Sequence, residues 1–172
     1  MTETDQPYPI ARYSFMAKLL HWSFVVLFAY GIFKQVDTIE QLEEISFLQF
    51  EIIFALVFLV FLIFRFFYMF RTQKTSLPPN TPTAHKLAAK VVHFSMYICL
   101  AGIALSGLAI GCFFWLGLKS GLIINSLIWI HEVTVSLIYW LICLHIVAAI
   151  YHRLKQDGVW NSMVPIWKEN TN

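Results

Sequence analysis

The sequence predicts an all-α integral membrane protein, a four-helix transmembrane bundle with both termini in the cytoplasm. Three observations carry that prediction. The 172 residues are 59% hydrophobic and 13% charged, whereas soluble domains carry roughly twice that charged fraction. Four apolar stretches exceed the ~18 residues that suggest a membrane-crossing helix. The Lys and Arg residues also segregate, ten on one side of these stretches and two on the other, and such an excess marks the cytoplasmic side.

The first span covers 15–33. The polar, acidic residues before it offer no small-residue cleavage site, so the span is expected to stay in the mature chain. It carries His21 about a turn inside the membrane, flanked by Arg12 and Lys18. The outer loop that follows, "VDTIEQLEE", holds four acids. The second span covers 45–70, with Glu51 near its outer end and Arg65 and Arg71 at its inner end. Three prolines and polar residues in "TQKTSLPPNTPTAHK" then end that helix and delay the next. The third span covers 87–118. It places His93 near the cytoplasmic start and makes a small-residue face of Gly102, Ser106 and Gly107, which lets a flat cofactor or another helix approach closely. The fourth span covers 121–151 and contains "SLIWIHEVTVSLIYWLICLHIVAAIYH", an almost wholly apolar run interrupted by His131, His145 and His152. A basic tail with Arg153, Lys155 and Lys168 follows. The whole of 1–172 reads as one domain, without internal repeats.

Several functions fall away. A net charge of +2, with no dense basic cluster, excludes a nucleic-acid partner. Cys99, Cys112 and Cys143 lie inside expected helices without CxxC spacing, and read as small packing residues. Trp22, Trp115, Trp129, Trp140, Trp160 and Trp167 read as lipid-facing and interfacial belt. A transporter lacks support, because no helix is broken and no half is repeated.

The intramembrane histidines carry the chemistry. On a helix, His131 and His145 lie within ~40° of one face and ~21 Å apart along the axis. That spacing suits one ligand near each membrane surface. Zinc is a poor match, since its ligands cluster and include Cys or carboxylates. Haem is a good one, because a low-spin iron takes an imidazole from each of two facing helices. Two residues compete as partner of His145, namely His21 in "AKLLHWSF" and His93 in "KVVHFSMY". A lone histidine in a span is often only a helix–helix hydrogen-bond donor, yet three converging at one depth argue for ligation. His85 and His152 sit at the interface, where solvation alone accounts for them.

"LLHW" in the first span, "AAKVVHFSMYICLAGIALSGLAI" in the third, "WIHE…LHIVAAIYH" in the fourth and "KQDGVWNSMVP" in the tail resemble the bacterial cytochrome b561 family. Its members are four-helix, two-haem, quinone-linked proteins related to the cytochrome subunits of hydrogenases and formate dehydrogenases. The resemblance covers nearly the whole chain through the order and spacing of these motifs. It implies that His21 and His145 bind an inner haem b, and that His131 binds an outer haem opposite a histidine of the second span. It also implies Arg65 as a propionate partner, where the sequence alone equally permits snorkelling to lipid phosphates. A quinone pocket touching His93 follows from the resemblance only.

One departure stands out. No histidine lies between His21 and His85, and the expected ligand position of the second span falls at or near Glu51. A carboxylate inside a span is costly and tends to be functional or paired. Glu51 reads as a weak axial ligand, a hydrogen-bond partner of His131, a proton relay, a subunit-interface residue, or a continuation of the acidic outer loop.

The expected function is therefore that of a b-type cytochrome in the bacterial inner membrane, passing electrons between a donor and the quinone pool. One haem b is firmly implied and the outer one depends on Glu51. Lipid, quinone and a redox partner subunit are the expected partners, and the sequence permits an oligomer. The alternative is a haem-poor membrane anchor or assembly subunit of a larger respiratory complex.

Overall fold

A computed structural model describes residues 13–36, 38–72 and 77–169. Arg12, Lys74 and part of the proline-rich connection fall outside that description. The expected spans are α1 (Phe15–Lys34), α2 (Ile45–Thr72), α3 (Thr83–Trp115) and α4 (Leu122–Lys155), and all four are long and apolar enough to cross a membrane. Two short elements were not foreseen: a 3₁₀ turn at Ile39–Glu43 and a helix α5 at Val159–Met163.

Local chemistry sets the boundaries. Ser14 caps α1, its Oγ accepting the Ala17 N–H at 3.1 Å, which satisfies one of the orphan donors of the first turn. α3 begins before the expected Leu87, directly after Pro82, whose carbonyl accepts the N–H groups of His85 and Lys86 at 3.0 and 3.1 Å. It also stops short of the expected Leu118. Gly117 takes φ +78, and the N–H of Leu118 returns to the Phe113 carbonyl at 2.9 Å, the six-to-one bond of a Schellman ending. α4 continues past Tyr151 because His152, Arg153 and Lys155 complement the negative end of its dipole. Left-handed Gln156 and Gly158 then turn the chain back.

The helices pack in sequence order, α1 on α2, α2 on α3, α3 on α4, while α1 and α4 share no extended contact. Two apolar clusters hold this arrangement. One joins Phe24, Phe58, Leu62, Cys99, Leu100, Ala104 and Ile138 near the middle of the four helices, away from the loop end. The other joins Leu42, Leu48, Ile110, Phe114 and Ile124 at the opposite end, and brings the 3₁₀ turn into the core. Large side chains such as Trp129, Trp140 and Leu144 face outward, the distribution expected where lipid is the solvent. Cys99 is buried and Cys112 and Cys143 are exposed, all as free thiols. At the loop end, Lys119 and Glu43 form an exposed ion pair at 3.5 Å, of the kind that adds roughly 0–1 kcal/mol.

Close helix approach depends on glycine at two places. A Cβ on Gly31 would lie 2.7 Å from the Phe54 ring, and one on Gly111 would lie 2.5 Å from Ile52 Cγ1. The latter atom is held near the backbone, so it has little room to yield. Gly111→Ala is expected to destabilise the bundle by about 1–3 kcal/mol, the usual cost of overpacking. The check is a lowered thermal midpoint in detergent that Ile52→Ala in the same chain largely restores.

Candidate functional site

Side chains from all four long helices meet toward the end of the bundle that carries the termini. At ~1.5 Å per residue, His21 lies about 9 Å inside α1 and Arg65 about 10 Å from the end of α2. His93 and His145 each lie about 15 Å from the corresponding ends of α3 and α4. Three of the expected site residues, His21, His93 and His145, thus converge with Arg65: His21 is within electrostatic reach of the other three, and His145 of His93 and Arg65.

Arg65 is the hub. Its Nη1 donates to the Tyr97 hydroxyl at 2.7 Å and its Nη2 to His21 Nδ1 at 3.0 Å. The guanidinium lies 5.6 Å from the Phe24 ring and 5.3 Å from the Tyr97 ring. Its Nε is buried without a hydrogen-bond partner, and among the described residues no carboxylate pairs with it. A buried guanidinium with a spare donor and no counter-anion is costly, so this is a place prepared for an acceptor.

Arg65 can only donate, so His21 Nδ1 accepts and the proton of the neutral ring sits on Nε2. His93 has the opposite arrangement: its Nδ1 faces the Ala89 carbonyl at 2.7 Å, and donating there leaves the lone pair on Nε2. The rings of His93 and His145 meet edge to face with centroids 5.0 Å apart. No hydrogen bond joins the two rings among those the structure shows, so they meet through a ring-to-ring contact.

His131 lies apart, nearer the loop end of α4. Ser106 donates its hydroxyl proton to the Gly102 carbonyl at 2.6 Å, and its Oγ stands 2.9 Å from His131 Nδ1. Nδ1 must then be the donor, which leaves the lone pair of His131 on Nε2. His131 packs over Gly107, where a Cβ would lie 3.5 Å from His131 Cε1, an ordinary contact distance. The small face of α3 thus receives α4, with His131 at Gly107 and Thr134 at Gly102.

Glu51 is half-buried at the loop end of α2. The backbone N–H of Val36 faces its carboxylate, and Oε1 is buried without a partner. Ile52, the neighbour of Glu51, rests on Gly111 and His131 on Gly107, about one turn apart on α3. His85 is exposed, as expected of an interfacial residue. His152 has a specific partner, with Nδ1 2.8 Å from Asp157 Oδ2.

Two contributors were missed from sequence. Tyr97, the second ligand of Arg65, could have been found as a hydroxyl in an apolar span at the depth of an intramembrane arginine. Ser106 was noted for its size, whereas its service to His131 depends on the rotation of α3 against α4. Among the described residues no group of three or more His, Cys, Asp or Glu side chains could cage a metal ion. The donors are instead single imidazoles on separate helices.

No match to a curated protein or to a solved structure is found. The family model described as prokaryotic cytochrome b561 matches residues 12–165, a stretch that includes every residue of the site above. With four membrane-length helices and intramembrane imidazoles at two depths, the chain belongs to the prokaryotic cytochrome b561 family.

Proposed function

We propose that the chain is a b-type cytochrome of a bacterial inner membrane, exchanging electrons between a donor and the quinone pool, with both termini cytoplasmic. The observation that carries the reading is the convergence of His21, His145 and Arg65, whose buried Nε lacks a partner, toward one end of the bundle, on helices that leave α1 and α4 apart. These residues fit a haem. His21 and His145 supply imidazoles from two helices that do not pack on one another, and the vacant Nε of Arg65 suits a propionate. When bound, the haem supplies one-electron exchange at its iron, and the chain's part is to hold, orient and shield it. To hold the haem through Nε2, His21 would have to release Arg65 and carry its proton on Nδ1, and the freed Nη2 would then be available to the same propionate. His93, exposed and with its Nε2 lone pair free, is placed to accept a hydrogen bond from a quinol hydroxyl. The test is the dithionite-reduced-minus-oxidised spectrum with a haem-to-protein ratio. A b-type signal with at least one haem per chain is expected, and haem-free protein from haem-sufficient cells overturns the reading.

A specific observation favours a second reading for the loop end. Glu51 already faces the Val36 N–H, and His131 lacks a second imidazole on α2. The outer site then holds haem loosely through His131 alone or not at all, and a chain with neither haem would be an anchor or assembly subunit.

The topology is tested separately. Asn80→Cys, in the connection between α2 and α3, is expected to be protected from a membrane-impermeant thiol reagent in intact cells. Ser120→Cys, between α3 and α4, is expected to be labelled. Labelling of position 80 from outside rejects the orientation.

A further inference from the structure

The two helices proposed to hold the inner haem share no extended contact, so other parts of the chain must set the gap between them. The polypeptide beyond α4 spans it. After the turn at Gln156–Gly158, α5 packs on α4 and presents two backbone carbonyls to α1. The Asn161 carbonyl accepts from Lys18 Nζ at 3.5 Å, and the Met163 carbonyl accepts from Trp22 Nε1 at 3.3 Å. Lys18 and Trp22 are four residues apart and share one helix face. Trp22 follows His21 directly and packs against its ring edge-on, with centroids 5.6 Å apart at 85°.

The tail is braced as a solid piece. Glu169 is only 5% exposed although it lies near the chain terminus. Its Oε2 accepts the Gly158 N–H at 2.6 Å, and its backbone exchanges two hydrogen bonds with the Asn161 side chain at 2.8 and 3.4 Å. Ser162 is 1% exposed, donating to the Val159 carbonyl at 2.6 Å. From α4, the Arg153 guanidinium lies 4.9 Å from the Trp167 ring and 6.0 Å from that of Trp160. Trp160 Nε1 in turn donates to the Ile166 carbonyl at 3.2 Å. The turn itself is closed by Asp157, paired with His152 at 2.8 Å and Lys155 at 3.6 Å. A buried carboxylate, a reciprocal amide clasp and a stacked guanidinium are far more than a loose end requires.

We infer that the segment 156–169 is a strut between α4 and α1, and that Glu169, Asn161 and Trp22 are positioning residues which set the depth and separation of His21 relative to His145. The inference rests on the haem reading for its consequence and on the tail contacts for its geometry. Because among the described residues α1 shares extended contact with α2 and not with α3 or α4, loss of the strut frees its terminal end to swing while the fold persists.

The experiment pairs a haem-free and a haem-loaded readout on the same variants. For the first, spin labels are placed at Phe15→Cys and Leu154→Cys, both lipid- or solvent-facing positions. The background is Cys99→Ala, Cys112→Ala and Cys143→Ala, in lipid nanodiscs. A single narrow α1–α4 distance is expected without the further substitutions. Glu169→Ala and Asn161→Ala should broaden it. Glu169→Gln, whose amide oxygen still accepts the Gly158 N–H, should restore it. For the second, haem transfer from the native-cysteine protein to an acceptor globin should accelerate about tenfold in Glu169→Ala, the scale seen when supporting residues of a metal ligand are removed. The low-spin resonance should broaden in that variant and remain as in the parent in Glu169→Gln. Unchanged distances in Glu169→Ala and Asn161→Ala overturn the strut. So does equal haem loss in the alanine and glutamine variants. If no variant or parent binds haem, the electron-transfer reading fails, and the distance measurement still decides whether the tail spaces the helices.

Discussion

Replacing His145 with alanine is expected to remove most of the reduced-minus-oxidised haem absorbance while the protein still inserts. His21→Ala should do the same, and His93→Ala should leave the signal largely in place. The expectation follows from geometry at one end of the bundle. His145 has neighbours of two kinds, an imidazole packed edge-on against it from α3 and another across the gap on α1, beside Arg65. The second lies on a helix that shares no extended contact with α4, which is the arrangement the haem reading calls for. Loss of an axial imidazole leaves the iron a weak or missing ligand, and the desolvated slot gains no substitute from water. The absorbance measurement is decisive in both directions. If His93→Ala abolishes the signal and His21→Ala preserves it, α3 supplies the ligand and the pairing proposed here is wrong. Exogenous imidazole adds a control, since it should partly restore the spectrum of His145→Ala by filling the space the side chain vacates.

The helices were legible because period and length speak directly through burial. A lipid-solvated bundle needs long apolar runs, and its lone polar residues stand out against them, which is how His21, Arg65, His131 and His145 could be named from sequence. The boundaries of α3 were harder. Pro82 and Gly117 are both plain in the chain, but apolar periodicity alone pushed the start to Leu87 and the end to Leu118, while the actual ends follow capping chemistry. Tyr97 and the partnership of Ser106 with His131 were illegible for a different reason. Each depends on how far α3 is rotated against α2 and α4, and rotation is settled by glycine contacts such as Gly111 with Ile52. The tail was least legible of all. Trp22 and Trp160 read as interfacial belt residues, yet both donate hydrogen bonds to tail carbonyls. Nothing in the composition of "GVWNSMVPIWKE" reveals that its terminal Glu169 would be buried.

Glu51→His is expected to raise the low-spin haem content from about one towards two per chain and to suppress any carbon-monoxide-binding fraction. His131 is the reason for expecting a response. Its Nδ1 is committed to Ser106, so Nε2 carries the lone pair, the state in which a histidine binds a metal and is oriented by its other nitrogen. Position 51 is at the right level: Ile52 rests on Gly111 and His131 on Gly107, one turn apart on α3 and so roughly 6 Å along its axis. The native carboxylate is a poorer ligand for ferrous iron than imidazole and is costly to bury charged. It also faces the Val36 N–H. Haem held by His131 in the native chain should therefore be loosely bound and five-coordinate, with a high-spin component. An imidazole at position 51 would supply the missing sixth ligand and remove a carboxylate whose Oε1 is buried without a partner. A companion substitution, Glu51→Gln, keeps an acceptor for Val36 but offers no imidazole, so it should leave haem content unchanged. Two low-spin haems in the native protein, or no change of stoichiometry and spectrum in Glu51→His, would show that Glu51 does not stand where an axial ligand belongs. Its place would then be that of an anchor for the loop between α1 and α2, and the stability of Glu51→Ala, rather than its spectrum, would register the loss.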